Sequence, residues 1–295
     1  MAPSSPSPLC PAAARQACTG APHAKEEETA DGGPQSYHLL QAAVGPLALE
    51  PRALFAWCVD GVVTGLLPHR RYAQASRAAR AAGLSESALT RRLATLAALD
   101  ANPVAELMRG DPDDRSFQHR WNGYNRLAPL GVRTRLADGA SVRLEERRTA
   151  PGIADDEFRR ITVTACAASL RRLGDAGPSD DGLRRAWRAL GLRGGCIPEL
   201  LDALRLAPEA DLARSATELG CSTRTLQRQL GRAGLSHGQL RRAVRLSLAG
   251  CALRGAASLT EIAHAAGFYD SAHFAHAWHR ACGITPSDYR ALSLA

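Results

Sequence analysis

Near the C-terminal end of this 295-residue chain, short runs of apolar residues at helical spacing are twice halted by a glycine. Each time a side chain able to cap a new helix follows two or three residues later. From Asp211 to Leu219 the pattern puts Leu212, Ala213, Ala216 and Leu219 on one face, and Gly220 follows where a helix needs a left-handed residue to stop. Ser222 then caps a second helix whose Leu226 and Leu230 face inward. Two short helices joined by a three- to four-residue turn containing glycine have helix-turn-helix spacing, in which the second helix enters the major groove of DNA. Its outward residues are Thr223, Arg224, Gln227 and Arg228. Their chemistry suits groove reading, because Arg can grip guanine through two hydrogen bonds and Gln can do the same for adenine.

The stretch from Ser236 to Arg254 reads as one long connecting helix with Leu240, Val244, Leu248 and Cys251 or Ala252 on its apolar stripe. Beyond it the plan repeats. Leu259, Ile262, Ala263 and Ala266 form an apolar face, Gly267-Phe268 makes the turn, and Phe274 with Trp278 anchors a further helix from about Asp270 to Cys282. Thr285 as N-cap and Pro286 in the first turn begin a short closing helix.

Residues from about 210 to 291 resemble the DNA-binding region of the AraC/XylS family of transcription regulators. The match is closest from Ser258 to Arg290, where Ile262-Ala263, Gly267-Phe268, His273-Phe274, Gly283-Ile284-Thr285-Pro286 and Tyr289-Arg290 fall where the family pattern expects them. The resemblance implies a seven-helix region with two helix-turn-helix units, about 211–233 and 258–282, whose reading helices enter successive major grooves roughly 34 Å apart. It also implies double-stranded DNA and RNA polymerase as partners, a small-molecule effector, a homodimer, and a sequence-specific regulator that is more often an activator. In the first unit Arg224, Gln227 and Arg228 occupy positions the family commonly uses to touch bases or phosphates. In the second, the corresponding positions are Ser271, Ala272, Ala275 and His276, where the family more often has polar residues and an Arg. The two alanines offer only methyl contact, so this half positions the protein more than it specifies sequence. His237 replaces a frequent Pro ahead of the connecting helix.

The rest of the chain reads as a mainly α protein: a helix-rich α+β N-terminal domain ahead of the C-terminal tandem domain. Residues 1–36 are rich in Pro, Ser, Ala and Gly, show no apolar period, and read as a disordered tail. Residues 37–204 read as a sensor or dimerisation domain, a role the resemblance alone implies, and 205–295 as the DNA-binding domain. Turn signals stand at Asp111-Pro112, Asp138-Gly139 and Gly177-Pro178. Alternation in 132–136 and 141–144 around Asp138-Gly139 predicts a β-hairpin. Phe117, Trp121, Tyr124 and Leu127 predict a buried helix face, and Asp156–Leu173 and Asp181–Leu190 predict helices. Asp155, Asp156, Glu157, Asp180 and Asp181 read as charges near helix starts. Gly191 to Cys196 is the candidate linker, with a second hinge at Ala207-Pro208-Glu209. An internal echo at a constant offset of 137 residues sets Gly83, Ser85, Leu89 and Leu93 against Gly220, Ser222, Leu226 and Leu230. It fits either a further DNA-reading unit or an ordinary helix junction.

A formal net charge of +8 favours a polyanionic partner without naming one. The eight cysteines form no Cys-x-x-Cys pair or Cys/His cluster, so no metal or other cofactor is expected, and reduced thiols in a cytoplasmic protein are. His264, His273 and His279 lack ligand partners in sequence and read as helix-surface or core-edge residues. Arg241, Arg242 and Arg245 fit a solvated surface and a phosphate contact equally. No run approaches a membrane span. No catalytic arrangement stands out, so the chain is read as a non-enzyme. An enzyme carrying a DNA-targeting module and a non-specific architectural binder are the alternatives.

Overall fold

The computed structural model describes residues 33–46, 50–109, 113–139, 142–173 and 181–294. The turn signals at Asp111-Pro112 and Gly177-Pro178, Asp180, Ser141 and residues 1–32 of the expected tail lie outside them. Strand β1 (Gln35–Tyr37) begins within that expected tail and pairs antiparallel with β2 (Leu66–Pro68), Tyr37 opposite Leu66. Backbone bonds from Gln35 N–H to Pro129 O and from Gly131 N–H to Gln35 O, 2.9 and 2.8 Å, hold it in place. Three residues are too few to show a period, which is why composition masked the strand.

Between the two strands lie α1 (His38–Val44) and α2 (Pro51–Val63). Next come α3 (His69–Ala81), α4 (Glu86–Leu99), α5 (Pro103–Met108) and α6 (Asp114–Leu127). The last three are capped by Ser85, Asn102 and Asp113, each accepting a backbone N–H of the first turn. On α6 Phe117, Trp121 and Tyr124 are buried, whereas Leu127, the last residue of the helix, is 39% exposed. The hairpin pairs β3 (Val132–Leu136) with β4 (Leu144–Thr149). The second strand therefore starts where the sequence pattern placed its end, and its charged Glu145–Arg148 concealed it. Arg147 sits opposite the buried Thr134 and packs inward. Helices α7 (Glu157–Arg172) and α8 (Gly182–Ala189) are capped by Asp156 and Asp181, the carboxylates expected near helix starts.

The C-terminal seven helices are α9 (Ile197–Leu206), α10 (Leu212–Glu218), α11 (Thr223–Gly231), α12 (His237–Leu253), α13 (Leu259–Ala265), α14 (Ser271–Cys282) and α15 (Pro286–Ser293). The sequence boundary at 204/205 falls inside α9. On α12 burial extends beyond the single expected stripe, because α2 and α9 flank it as well as α13: Ala243, Leu246, Ala249 and Leu253 are buried along with Leu240 and Val244. Helix α15 packs on α5 and α6, and α14 on α2 and β2. Gly33–Ala295 thus forms one compact unit with a continuous core.

Buried polar bonds stitch the N-terminal helices to α14 and α15. Asn102 Nδ2 donates to Gly61 O at 2.7 Å and Ala281 O at 3.1 Å. The Tyr124 hydroxyl donates to Cys282 O at 3.1 Å, and the Tyr289 hydroxyl to Pro103 O at 3.0 Å. Gly283 ends α14 in the left-handed region at φ 72°, and a Cβ there would stand 2.1 Å from Leu66 Cδ1.

Candidate nucleic-acid interface

The first unit is built from local signals. Asp211 accepts the Arg214 N–H at 2.8 Å to open α10. The helix closes through Gly220, at φ 61°, with Cys221 N–H bonded to Ala216 O at 2.9 Å. Ser222 accepts the Thr225 N–H at 3.1 Å and starts α11. Leu226 and Leu230 are buried, while Thr223, Arg224, Gln227 and Arg228 all face solvent, as expected. Arg224, Gln227 and Arg228 make no side-chain hydrogen bond or ion pair among the described residues, so their donors are open to an incoming duplex. Gln229 is spent internally, its Oε1 accepting the Cys196 N–H at 3.2 Å.

On α10 one detail differs from the sequence reading. Ala213 is exposed and Ser215 is buried, its hydroxyl 2.9 Å from His237 Nε2. His237, at the place of the frequent Pro, therefore pins α10 to the start of α12. Burial lowers its pKa, helped by the nearby Arg241 charge, which keeps the ring neutral in this contact. Ser236 and Gln239 complete a capping box, so α12 starts firmly without the proline.

The second unit repeats the construction. Ser258 and Glu261 form a capping box, and Gly267 at φ 76° closes α13 with Phe268 N–H on Ala263 O at 2.8 Å. Asp270 accepts the His273 N–H at 2.7 Å to open α14. Phe274 and Trp278 are fully buried anchors. Ser271, Ala272 and His276 are exposed, whereas Ala275 is half-buried and offers less surface than expected. His264, His273 and His279 are also exposed, and the His273 ring stands edge-on to Phe268. No group among the described residues could hold a metal ion.

The three arginines of α12 part company. Arg245 Nε donates to Pro208 O at 2.7 Å with its guanidinium 5.8 Å from the Phe268 ring centre, and Arg241 Nη1 donates to Ala210 O at 3.1 Å. Both brace the loop between α9 and α10 against α12, and Arg245 reaches Phe268 of the second unit as well. Gly267 closes the same seam, since a Cβ there would lie 3.0 Å from the Pro208 and Glu209 backbone. The expected hinge at Ala207-Pro208-Glu209 is thus clamped, which fixes the spacing of the two units. Only Arg242 is exposed, free for phosphate. Sequence reasoning also passed over Tyr269, 85% exposed beside the start of α14. A lone aromatic next to a turn carries no periodic signal.

The echo between α3 and α4 reproduces the same junction. Gly83 has φ 73°, Leu84 N–H bonds to Ala79 O at 3.0 Å, Ser85 caps α4, and Leu89 and Leu93 are buried. Helix α4 then runs on as a core element against α1 and α7.

A protein family described as a helix-turn-helix domain matches residues 215–292, about a quarter of the chain. Neither a curated protein nor a solved structure matches the chain. The match covers both glycine turns, both reading helices and the linking helix between them. The C-terminal region belongs to the AraC/XylS-type helix-turn-helix family, and the chain is a DNA-binding transcription regulator.

Proposed function

We propose that the protein is a sequence-specific regulator that reads DNA chiefly through α11, and that residues 37–204 sense a small molecule and thereby set its affinity. The observation that carries the first part is the asymmetry of the two reading faces. Helix α11 presents two unpaired arginines and a glutamine on a well-capped scaffold, whereas α14 presents mainly Ala, Ser and His. Sensing is supported by the bonds from Asn102 and Tyr124 to the C-terminal end of α14, which link the N-terminal helices to a reading helix. By the family resemblance it acts as a cytoplasmic activator, alongside RNA polymerase and as a homodimer, rather than as an enzyme.

Footprinting on the promoter beside its own gene tests the reading. Arg228→Ala is expected to cost about 1–3 kcal/mol on the best site and to relax sequence preference while sparing the fold. A uniform, sequence-blind affinity that simply collapses with salt would instead establish a non-specific architectural binder.

A further inference from the structure

Helix α6 and the outer face of the hairpin enclose an open groove of about 570 Å³. Arg115, His119, Asn122 and Arg126, at i, i+4, i+7 and i+11, set one face of α6 along it for about 16 Å at the rise of an α-helix. Across from them stand Arg133 and Arg135 of β3 and Glu146 and Arg148 of β4. The floor is internally satisfied. Asn122 Nδ2 donates to Leu136 O at 3.1 Å while its Oδ1 accepts the Leu136 N–H at 2.7 Å, and Asn125 Oδ1 accepts the Thr134 N–H at 3.0 Å.

The charges of the rim are not matched in the same way. Glu145 is spent on Arg135, Glu146 on Arg148 and Asp114 on Arg171. Arg115, Arg126 and Arg133 are exposed and make no side-chain hydrogen bond or ion pair among the described residues, and Asp138 is the one lining carboxylate left to face them. Arg133 also sits directly opposite Arg148 in the hairpin register, where like charges repel. Three guanidinium groups around one polar groove call for an anion, and phosphate suits their geometry. Among the described residues that line the groove there is no aliphatic side chain and no Phe, Tyr or Trp. Nothing there could hold an apolar small molecule, anchor a protein hot spot or stack the bases of a single strand. The ridge of a duplex backbone needs none of these, because its phosphates ask only for positioned cations.

We propose that this groove is a further DNA contact, in which Arg115, Arg126 and Arg133 grip backbone phosphates outside the major grooves entered by α11 and α14. The way α6 is mounted favours DNA as the occupant. Its Tyr124 hydroxyl donates to Cys282 O at the end of α14, and its Gly123 packs so closely on α15 that a Cβ would stand 2.3 Å from Leu292 Cδ2. The groove therefore rides on the same compact unit as the reading helices, and its phosphate contacts add to theirs without a linker to order. Such contacts position the protein and strengthen binding to any sequence, and they read no base.

Fluorescence anisotropy of the full chain on a mixed-sequence duplex of about four helical turns, over a series of salt concentrations, tests the assignment. The probe carries no chosen site, so the outcome does not depend on how α11 reads sequence. The triple variant Arg115→Gln, Arg126→Gln, Arg133→Gln should reduce the slope of log affinity against log salt by about 2–3, because each phosphate contact contributes about 0.9. All three side chains are exposed, so its melting temperature should match wild type. Arg115→Lys, Arg126→Lys, Arg133→Lys keeps the charge and should recover most of the slope. A control with the same change in net charge, Arg70→Gln, Arg77→Gln, Arg91→Gln on exposed parts of α3 and α4, should leave the slope within about half of one phosphate contact. A wild-type slope in the folded first variant, which a groove built for an acidic polypeptide would also give, overturns the proposal. So does an equal fall in the control, since net charge alone would then account for the effect.

Discussion

Replacing Asn102 with Ala removes three hydrogen bonds from one fully buried side chain, and their partners set the cost. Its Oδ1 caps α5 through the Val104 N–H at 2.8 Å. A lost cap costs about 1 kcal/mol. Its Nδ2 serves two carbonyls from distant parts of the chain, Gly61 O and Ala281 O. Ala281 O keeps the Gly65 N–H at 3.1 Å, so that loss is an ordinary one of about 1 kcal/mol. Gly61 O fares worse. Gly65 is its natural i+4 donor but is turned away to Ala281, so the carbonyl is left buried and unpaired, at about 1–3 kcal/mol. The expected loss is about 3–5 kcal/mol, a large share of a typical stability. In urea this shifts the midpoint by about 1–2 M at an unchanged slope. Asn102→Asp keeps the cap but loses both donors and sets a carboxylate against two carbonyls, so it should be no better than Ala. A midpoint shift below about 0.3 M for Asn102→Ala, or an Asp variant close to wild type, would refute this account of how α5 holds α14.

Gly283→Ala combines a left-handed backbone with a Cβ driven into Leu66, and should lower the melting temperature by several degrees, read by calorimetry. Stability should decline as pH falls below about 6.5, because His69 and His237 have lowered pKa values and the unfolded chain binds their protons first. His237→Asn should flatten that slope in denaturation measured from pH 7 to 5. Burial alone would raise the Asp100 carboxyl, but His38, the Asn102 N–H and the Tyr37 hydroxyl outweigh it and hold its pKa below the ordinary range. Its contribution is therefore present above about pH 4 and lost as pH falls through the lowered value, and Asp100→Asn should remove that acid limb. On DNA, His276→Ala should change affinity by less than about threefold and equally across sequences. A shift in base preference would give α14 a reading role of its own.

What the sequence revealed and what it hid divide along the range of the interactions. The two units were legible because their signals are local: Gly220 and Gly267 stop helices, Ser222 and Asp270 start them, and Leu226, Leu230, Phe274 and Trp278 mark inner faces within a few residues. The same grammar placed Asp156 and Asp181 near helix starts, where the structure shows them capping α7 and α8. The packing of α2 on α12 and of α15 on α6 was not legible, since Asn102 and Ala281 meet across 179 residues and neither side chain belongs to a periodic pattern. Arg147 was hidden for a related reason. In a strand of alternating charges it looks like one more solvated arginine, and only the register opposite Thr134 turns it inward. The clamp made by Arg241 and Arg245 follows suit, because a basic helix face reads as a phosphate track until a carbonyl loop is found beneath it. The arginines left exposed near the reading helices are thus Arg224, Arg228, Arg232, Arg242 and Arg280, whereas Arg241 and Arg245 are spent on the loop between α9 and α10.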